Sequence, residues 1–321
     1  MAGLAGDAAM SGLISIVMPV LDAEAWLDEA IESALAQTWR DLELVIVDDG
    51  SVDRSREVAA AAAVRDGRVR LLALERDPSL SSAARAANAG IAIARGDWIA
   101  RLDADDICLP NRLERQLGFL EARGLDGCGG LGEAFGGEAR TYWFPESHEG
   151  IERELIFRVG ILHPTLLARA ELMRRLPYQR EASFEDYEWT VRAVAQGARF
   201  GNLQEVVLRH RVHEGQANRR HRPLFLRDMR RYRFQHIMRL FPGTRPATYQ
   251  PLAWLVEGAE LAGAELETAG GWLIRLADFP DRRLREKMAL RWRLACDRAG
   301  LGPGEDLRER IEARILGGGR N

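Results

Sequence analysis

Lysine is nearly missing from this chain: Lys287 is the only one among 45 Lys and Arg residues. A two-acid phosphoacceptor pocket wants a lysine late in its sheet, and Lys287 is the sole candidate. Cysteine is also scarce. Cys108, Cys128 and Cys296 are too far apart to make a paired metal motif or a disulfide framework, and they read as reduced thiols of a cytosolic, cytoplasmic protein. No apolar run approaches the roughly 18 residues of a membrane span. The N-terminus has no basic region before its apolar stretch, which argues against a secretion signal. Residues 1–12 are expected to be a flexible leader, with Met10 as an alternative start. The net charge of −3 gives no reason to expect nucleic acid as a partner. Two phosphate-binding loops are missing as well. No Gly-x-Gly-x-x-Gly follows the first apolar run, and there is no Gly-x-x-x-x-Gly-Lys-Ser/Thr.

The 321 residues carry a 46% apolar and 29% charged composition, ordinary for a folded protein of one large domain plus an appendage. Ile14–Val20 reads as a buried parallel strand, and Leu42–Val47 as a second. Asp22 or Glu24 is expected to cap a helix whose apolar positions are Leu27, Ala30, Ile31, Ala34 and Leu35. An alanine-rich helix to about Val64 precedes a third strand, Arg68–Leu74. Ser79, Ser81 or Ser82 should cap a helix running to Arg95, before a fourth strand, Asp97–Asp103. Pro110 suits the first turn of the next helix. This alternation predicts a doubly wound α/β sheet with helices on both faces.

Beyond it the pattern loosens. Gly127–Gly137 reads as a strand and loop, Arg153–Val159 as helix and Ile161–Leu167 as a strand. Phe184–Ala195 reads as a helix and Val206–His213 as a last strand. The composition then shifts to amphipathic helices rich in Arg and Trp. The expected division is a catalytic domain over 13–215 and a helical C-terminal extension over 216–321.

Ligands of such sheets bind beyond the carboxyl ends of the strands. Three acidic clusters fall there: Asp22, then Asp48-Asp49, then Asp103-Ala104-Asp105-Asp106. Carboxylates this close repel unless a cation neutralises them, and hard oxygen ligands suit Mg²⁺ or Mn²⁺. A nucleoside diphosphate held through such a cation fits the crevice.

Five short motifs stand in order: Ser15–Val20, Val47-Asp48-Asp49-Gly50-Ser51-Val52-Asp53, Asn88-Ala89-Gly90-Ile91, Leu102–Asp106 and Glu185-Asp186. Together, over roughly residues 12–215, they resemble family 2 glycosyltransferases with a GT-A fold. The resemblance implies a GT-A-like doubly wound mixed sheet. It further implies metal-dependent transfer of a sugar, with inversion, from a nucleoside-diphosphate sugar to an acceptor hydroxyl; a UDP-sugar is the leading donor. Carried over, Pro19, Val20, Asp22, Asp48, Asp49, Asn88 and Asp103 would bind the nucleotide sugar. Asp105, with Asp103 and His213, would hold Mn²⁺ or Mg²⁺. Asp186 would be the general base, and His163, Glu185 and Arg211 would touch acceptor or diphosphate. The chain departs from the pattern in Leu21-Asp22 for Tyr-Asn, in Ala87-Asn88 for Arg-Asn and in His210-Arg211-Val212-His213 for the late Tyr-Arg-x-His.

Plainer readings stand beside these. Asp48-Asp49 suits a solvated turn before Gly50, and Glu185-Asp186 suits helix capping. The stretch Arg219–Arg239 suits a solvated helix face or contact with an anionic membrane carrying a lipid-linked acceptor. A homodimer through the helical tail is a further expectation. The rival functions are a sugar nucleotidyltransferase, which would need a basic glycine-rich loop, and a transferase-like scaffold without activity.

Overall fold

The apolar runs pair into one nine-stranded mixed sheet in the computed structural model, which describes residues 12–77, 83–179, 184–213, 222–302 and 304–317. Its strands are β1 (Ile14–Val20), β2 (Leu42–Asp48), β3 (Val69–Ala73), β4 (Trp98–Arg101), β5 (Ile107–Cys108), β6 (Gly127–Phe135), β7 (Thr141–Tyr142), β8 (Leu167–Arg169) and β9 (Phe200–Arg211). They run β3-β2-β1-β4-β8-β6-β9-β5, with β7 beside β6. The β3-β2-β1-β4 part is parallel, whereas β8 is antiparallel to both β4 and β6. Helices α1 (Leu27–Leu35), α2 (Ser55–Arg65), α3 (Ala83–Ile93) and α4 (Arg112–Arg123) alternate with the strands. The mixed α/β sheet expected from sequence is therefore observed, and the antiparallel turn comes where the apolar periodicity loosens.

The remaining helices are α5 (His148–Glu154), α6 (Ala170–Arg175), α7 (Glu185–Ala195), α8 (Arg222–Leu240), α9 (Pro246–Glu257), α10 (Gly263–Ala277), α11 (Arg282–Arg298) and α12 (Asp306–Gly317). The chain divides into two compact units. One comprises residues up to Glu146 together with Ile161–Arg222; the other comprises Ser147–Gly160 and the chain from Pro223. In the helical unit Trp272 and Trp292 are core, and Trp254 packs against it half-buried. Among the described residues no helix is long and apolar enough to cross a membrane.

Several local expectations give way. Neither Asp22 nor Glu24 caps α1, whose N-cap position is Trp26. Instead the two acids tie the loop after β1 to the loop after β2: Val52 N–H donates to Asp22 Oδ1 at 2.8 Å, and Arg54 N–H to Glu24 Oε2 at 2.8 Å. Ile161–Leu167 is not a strand. A 3₁₀ turn spans His163–Thr165, because Pro164 has no N–H for a ladder and the Thr165 hydroxyl donates to the Leu162 carbonyl at 2.6 Å. Pro110 lies just before α4, which opens at Arg112, and its carbonyl accepts from Thr38 N–H at 2.8 Å. The Arg153–Val159 helix is α5, shifted to start after the Ser147 cap. The leader up to residue 11, the caps Ser79, Ser81 and Ser82, and the boundary at 215/216 lie outside the described residues. So do Arg219 and Arg220 of the basic stretch.

Gly90 shows why α3 needs a glycine against the sheet. A Cβ there would sit 2.6 Å from Val17 Cγ1 and 3.0 Å from Val47 Cγ2. The glycine lets the helix pass close over β1 and β2, which seats the loops at their carboxyl ends.

Candidate active site

The parallel strands β1, β2 and β4 end side by side, so their terminal loops share one edge of the sheet. After β1, Val20 is buried and its carbonyl accepts from Asp49 N–H at 2.8 Å, with Pro19 one residue earlier in the strand. Asp22 sits beyond them at φ +51°, its Oδ2 3.1 Å from Arg76 Nη1. Short polar side chains such as Asp tolerate that backbone region best among non-glycines. After β2, the buried Asp48 accepts from Arg56 Nε at 2.7 Å and Ser51 N–H at 3.1 Å. Asp49 accepts from Arg85 Nε at 2.8 Å and Nη2 at 2.5 Å, both on Oδ1. Burial raises the Asp49 carboxyl above its ordinary value despite that guanidinium.

After β4 the chain turns through Asp103–Asp106 into β5, which pairs with the end of β9. Asp105 Oδ2 lies 2.9 Å from His213 Nε2, and the Asp105 carbonyl accepts from Arg211 Nε at 2.9 Å. Arg211 also reaches Glu29 Oε2 at 2.5 Å, and its guanidinium carbon stands 4.4 Å from the ring centroids of both Trp26 and Phe135. The sequence leaves Asp106 without a role, but here it is fully buried. Its Oδ1 accepts from Arg211 N–H at 2.9 Å and its Oδ2 meets His210 Nδ1 at 3.1 Å. Burial, only partly offset by His210, raises the Asp106 carboxyl to about 6. Asp106 thus ties the loop to the strand that delivers Arg211 and His213.

Glu185 and Asp186 open α7, where acids meet the positive end of the helix. The Tyr187 N–H donates to Asp186 Oδ1 at 2.6 Å. Surrounding protein and the neighbouring Glu185 charge push the Asp186 carboxyl up to about 7. Burial raises Glu185 and Asp103 too. His163 meets the Tyr178 hydroxyl at 2.9 Å, and burial holds its imidazole well below the usual range, hence neutral. Asn88 is spent on one backbone position: its amide donates to the Tyr178 carbonyl at 2.8 Å and its oxygen accepts from Tyr178 N–H at 2.9 Å.

Two arginines were missed by reading the sequence. Arg101, fully buried, donates to the Val17 carbonyl at 3.1 Å and to Asp103 Oδ1 at 3.3 Å. Its charge lies near enough to Glu185, Asp103 and His163 to act on all three. Arg112, also buried, donates to the Arg101 carbonyl at 2.8 Å. The signal was there: an arginine inside the apolar run Trp98–Leu102 must find buried acceptors or unfold the strand.

The donor set can be tested for a divalent cation. Asp105 and His213 converge, with Asp103 in the same loop, while no group of three or more His, Cys, Asp or Glu is preformed among the described residues. Carboxylate oxygens suit Mn²⁺ or Mg²⁺, and the one imidazole favours Mn²⁺ of the two, provided that the ligand supplies the remaining oxygens. The residues present fit such an ion.

The profile of glycosyl transferase family 2 matches residues 15–181, which takes in the loops after β1, β2 and β4, while Glu185, Asp186, Arg211 and His213 lie beyond it. The chain belongs to glycosyl transferase family 2. The glycosyltransferase GlyG of Streptococcus pneumoniae is 42% identical over 105 residues, covering 33% of this chain and 34% of that protein. This chain therefore spans about a third of that relative's length. Residues 1–349 of TarS from S. aureus, solved with UDP-GlcNAc, superpose with a TM-score of 0.58 at 17% identity, over 95% of this chain and 92% of that one. The mannosyltransferase PcManGT from Pyrobaculum calidifontis, solved with GDP-Man and Mn2+, gives 0.53 at 15% identity, over 94% and 84%. At these identities the likeness is one of fold, the GT-A-like sheet.

Proposed function

We propose that this glycosyltransferase moves a sugar from a nucleoside-diphosphate sugar to an acceptor hydroxyl, with inversion and with the aid of a divalent cation. The observation that carries the reading is the convergence of Asp105 and His213, 108 positions apart, on the edge of the sheet that also bears Asp48, Asp49 and Asp103. Neighbours of the same fold were solved with UDP-GlcNAc and with GDP-Man and Mn2+, which supports a nucleotide-sugar donor and a cation.

In this reading Asp49 keeps Oδ2 for the base while Arg85 fixes Oδ1. Pro19 and Val20 line the nucleoside through backbone, and Asp48 and Asp22 hold the two loops around it. A cation bound by Asp105 and His213, with Asp103 beside them, would supply positive charge against the leaving diphosphate. Arg101 keeps Asp103 and Glu185 from repelling each other, and Arg211 holds the Asp105 backbone in place. Asp186 accepts the proton of the acceptor hydroxyl as its oxygen bonds to the anomeric carbon and the bond to the diphosphate breaks. A carboxyl pushed up to about 7 is a stronger base than an ordinary aspartate, so it suits a weakly acidic sugar hydroxyl. The neutral His163, paired with Tyr178, offers the acceptor a fixed polar edge, while Asn88 holds Tyr178 in position.

The test is incubation with Mn²⁺ and a panel of UDP-, GDP- and dTDP-sugars, reading nucleoside diphosphate release and the anomeric configuration of the product by proton NMR. Release of diphosphate with an inverted product is expected. Pyrophosphate formed from a nucleoside triphosphate and a sugar phosphate would instead establish a nucleotidyltransferase.

A further inference from the structure

The surface of the helical unit bears an open cavity of about 370 Å³ between the loop after α8 and helix α10, lined in part by Thr244, Thr248, Thr268, Gly271 and Arg275, with Thr248, Thr268 and Arg275 exposed. Its size is at the lower end of the roughly 300–1,000 Å³ of small-molecule sites. The chemistry of its wall is selective. Each threonine hydroxyl donates to a carbonyl of its own turn: Thr244 to Phe241 at 2.7 Å, Thr248 to Arg245 at 2.8 Å and Thr268 to Ala264 at 2.7 Å. A carbonyl only accepts, so these protons are committed and the hydroxyl oxygens are left as acceptors. They call for ligand groups that donate.

Arg275 calls for the opposite. Its guanidinium carbon stands 4.6 Å from the Trp272 ring centroid and 4.9 Å from that of Phe241. Stacking occupies the faces of a guanidinium and leaves its N–H edge in plane, and the exposed Arg275 keeps that edge towards solvent among the described residues. Trp272 is itself locked, donating from Nε1 to the Thr248 carbonyl at 2.6 Å. The two rings limit the planes this guanidinium can adopt, and its N–H edge matches a planar carboxylate or a phosphate.

We propose that this cavity binds a polyhydroxylated anion, a sugar unit bearing a carboxylate or a phosphate, with the anionic group on Arg275 and ligand hydroxyls donating to the threonines. A simple anion leaves the threonine acceptors unused, and a neutral sugar leaves Arg275 unused. Only the source of the ligand, an acidic unit of the acceptor, rests on the transferase reading; the binding itself does not.

Gly271 gives a clean variant, because a Cβ there meets no heavy atom within 4 Å. Gly271→Leu removes a helix-interior glycine and starts its side chain from this open position, so it is expected to fold while obstructing the cavity, which its melting temperature checks. The experiment is saturation-transfer NMR and calorimetry on the full chain with glucuronate, glucose 6-phosphate, glucose, inorganic phosphate and phosphatidylinositol vesicles. Glucuronate or glucose 6-phosphate should bind at least about tenfold more tightly than glucose or phosphate, and Gly271→Leu and Arg275→Met should each weaken that by about tenfold or more. UDP binding should be unchanged in both variants, and so separates this site from the catalytic one. Binding that survives both variants, phosphate or glucose binding as tightly as the acidic sugars, or Arg275-dependent binding of the vesicles alone would each overturn the proposal. Absence of transferase activity with sugar binding intact would refute only the catalytic reading.

Discussion

The Nε2 of His213 lies 2.9 Å from Oδ2 of Asp105, although 108 residues separate them in sequence. Asp106 makes the meeting possible by tying the loop to the end of β9 through Arg211 N–H and His210. If the pair holds the cation, Asp105→Ala should abolish the Mn²⁺-dependent part of UDP binding measured by calorimetry. His213→Ala should weaken it by about 10–100-fold, the scale on which loss of a group supporting a metal site is felt. UDP affinity without Mn²⁺ should change little in either variant.

Arg101 is a buried cation facing Asp103 and, at longer range, Glu185. Removing Arg101 leaves the Val17 carbonyl without this donor and Asp103 without its partner, but the Asp103 side chain is 38% exposed and solvent screens its charge, so the cost is about 1–3 kcal/mol. Arg101→Met should therefore lower the urea midpoint strongly. Arg101→Lys keeps the charge but cannot reach both the Val17 carbonyl and Asp103, so it should fall between the two.

Asp186 titrates from an ordinary value of 3.8 up to about 7 in the folded protein. As the proposed base it must be ionised, so kcat/KM should rise with pH through about 7 on its acid limb and level off above. Stability carries the opposite sign. Between about pH 4 and 7 the folded state binds more protons at this group than the unfolded chain does, so this group's contribution falls as pH rises. Asp186→Asn should flatten that slope in denaturation measured across the range, even where activity is lost.

Much of this was legible in the residues, and the reason is local. Buried parallel strands such as Ile14–Val20 announce themselves as unbroken apolar runs, and acids at their ends must face the same edge. What the sequence hid depends on tertiary partners. Nothing near Asp106 in the chain reveals His210 as its partner, and nothing near Asn88 reveals the Tyr178 backbone. Arg101 was masked by its own apolar run, since its acceptors come from β1 and the following loop. Asp22 read as a helix cap because capping is a local rule, whereas its acceptor is taken by Val52 from the next loop.

The close approach of α3 gives a packing test away from the chemistry. Gly90→Ala places a methyl 2.6 Å from Val17 Cγ1, between two buried strands that cannot move apart freely. Overpacking of that kind costs about 1–3 kcal/mol. The melting temperature should fall, and UDP affinity should fall with it if the loops that Val17 and Val47 carry hold the nucleotide as proposed.

If Asp186 takes the acceptor proton while other residues hold the donor, the two roles come apart when Asp186→Asn is compared with the parent protein for turnover and for Mn²⁺-dependent UDP binding in the same preparation. Turnover should fall by about 10²–10⁴-fold, the usual worth of a positioned base, with UDP binding essentially unchanged. Turnover within a few-fold of the parent protein, with binding intact, would contradict the assignment.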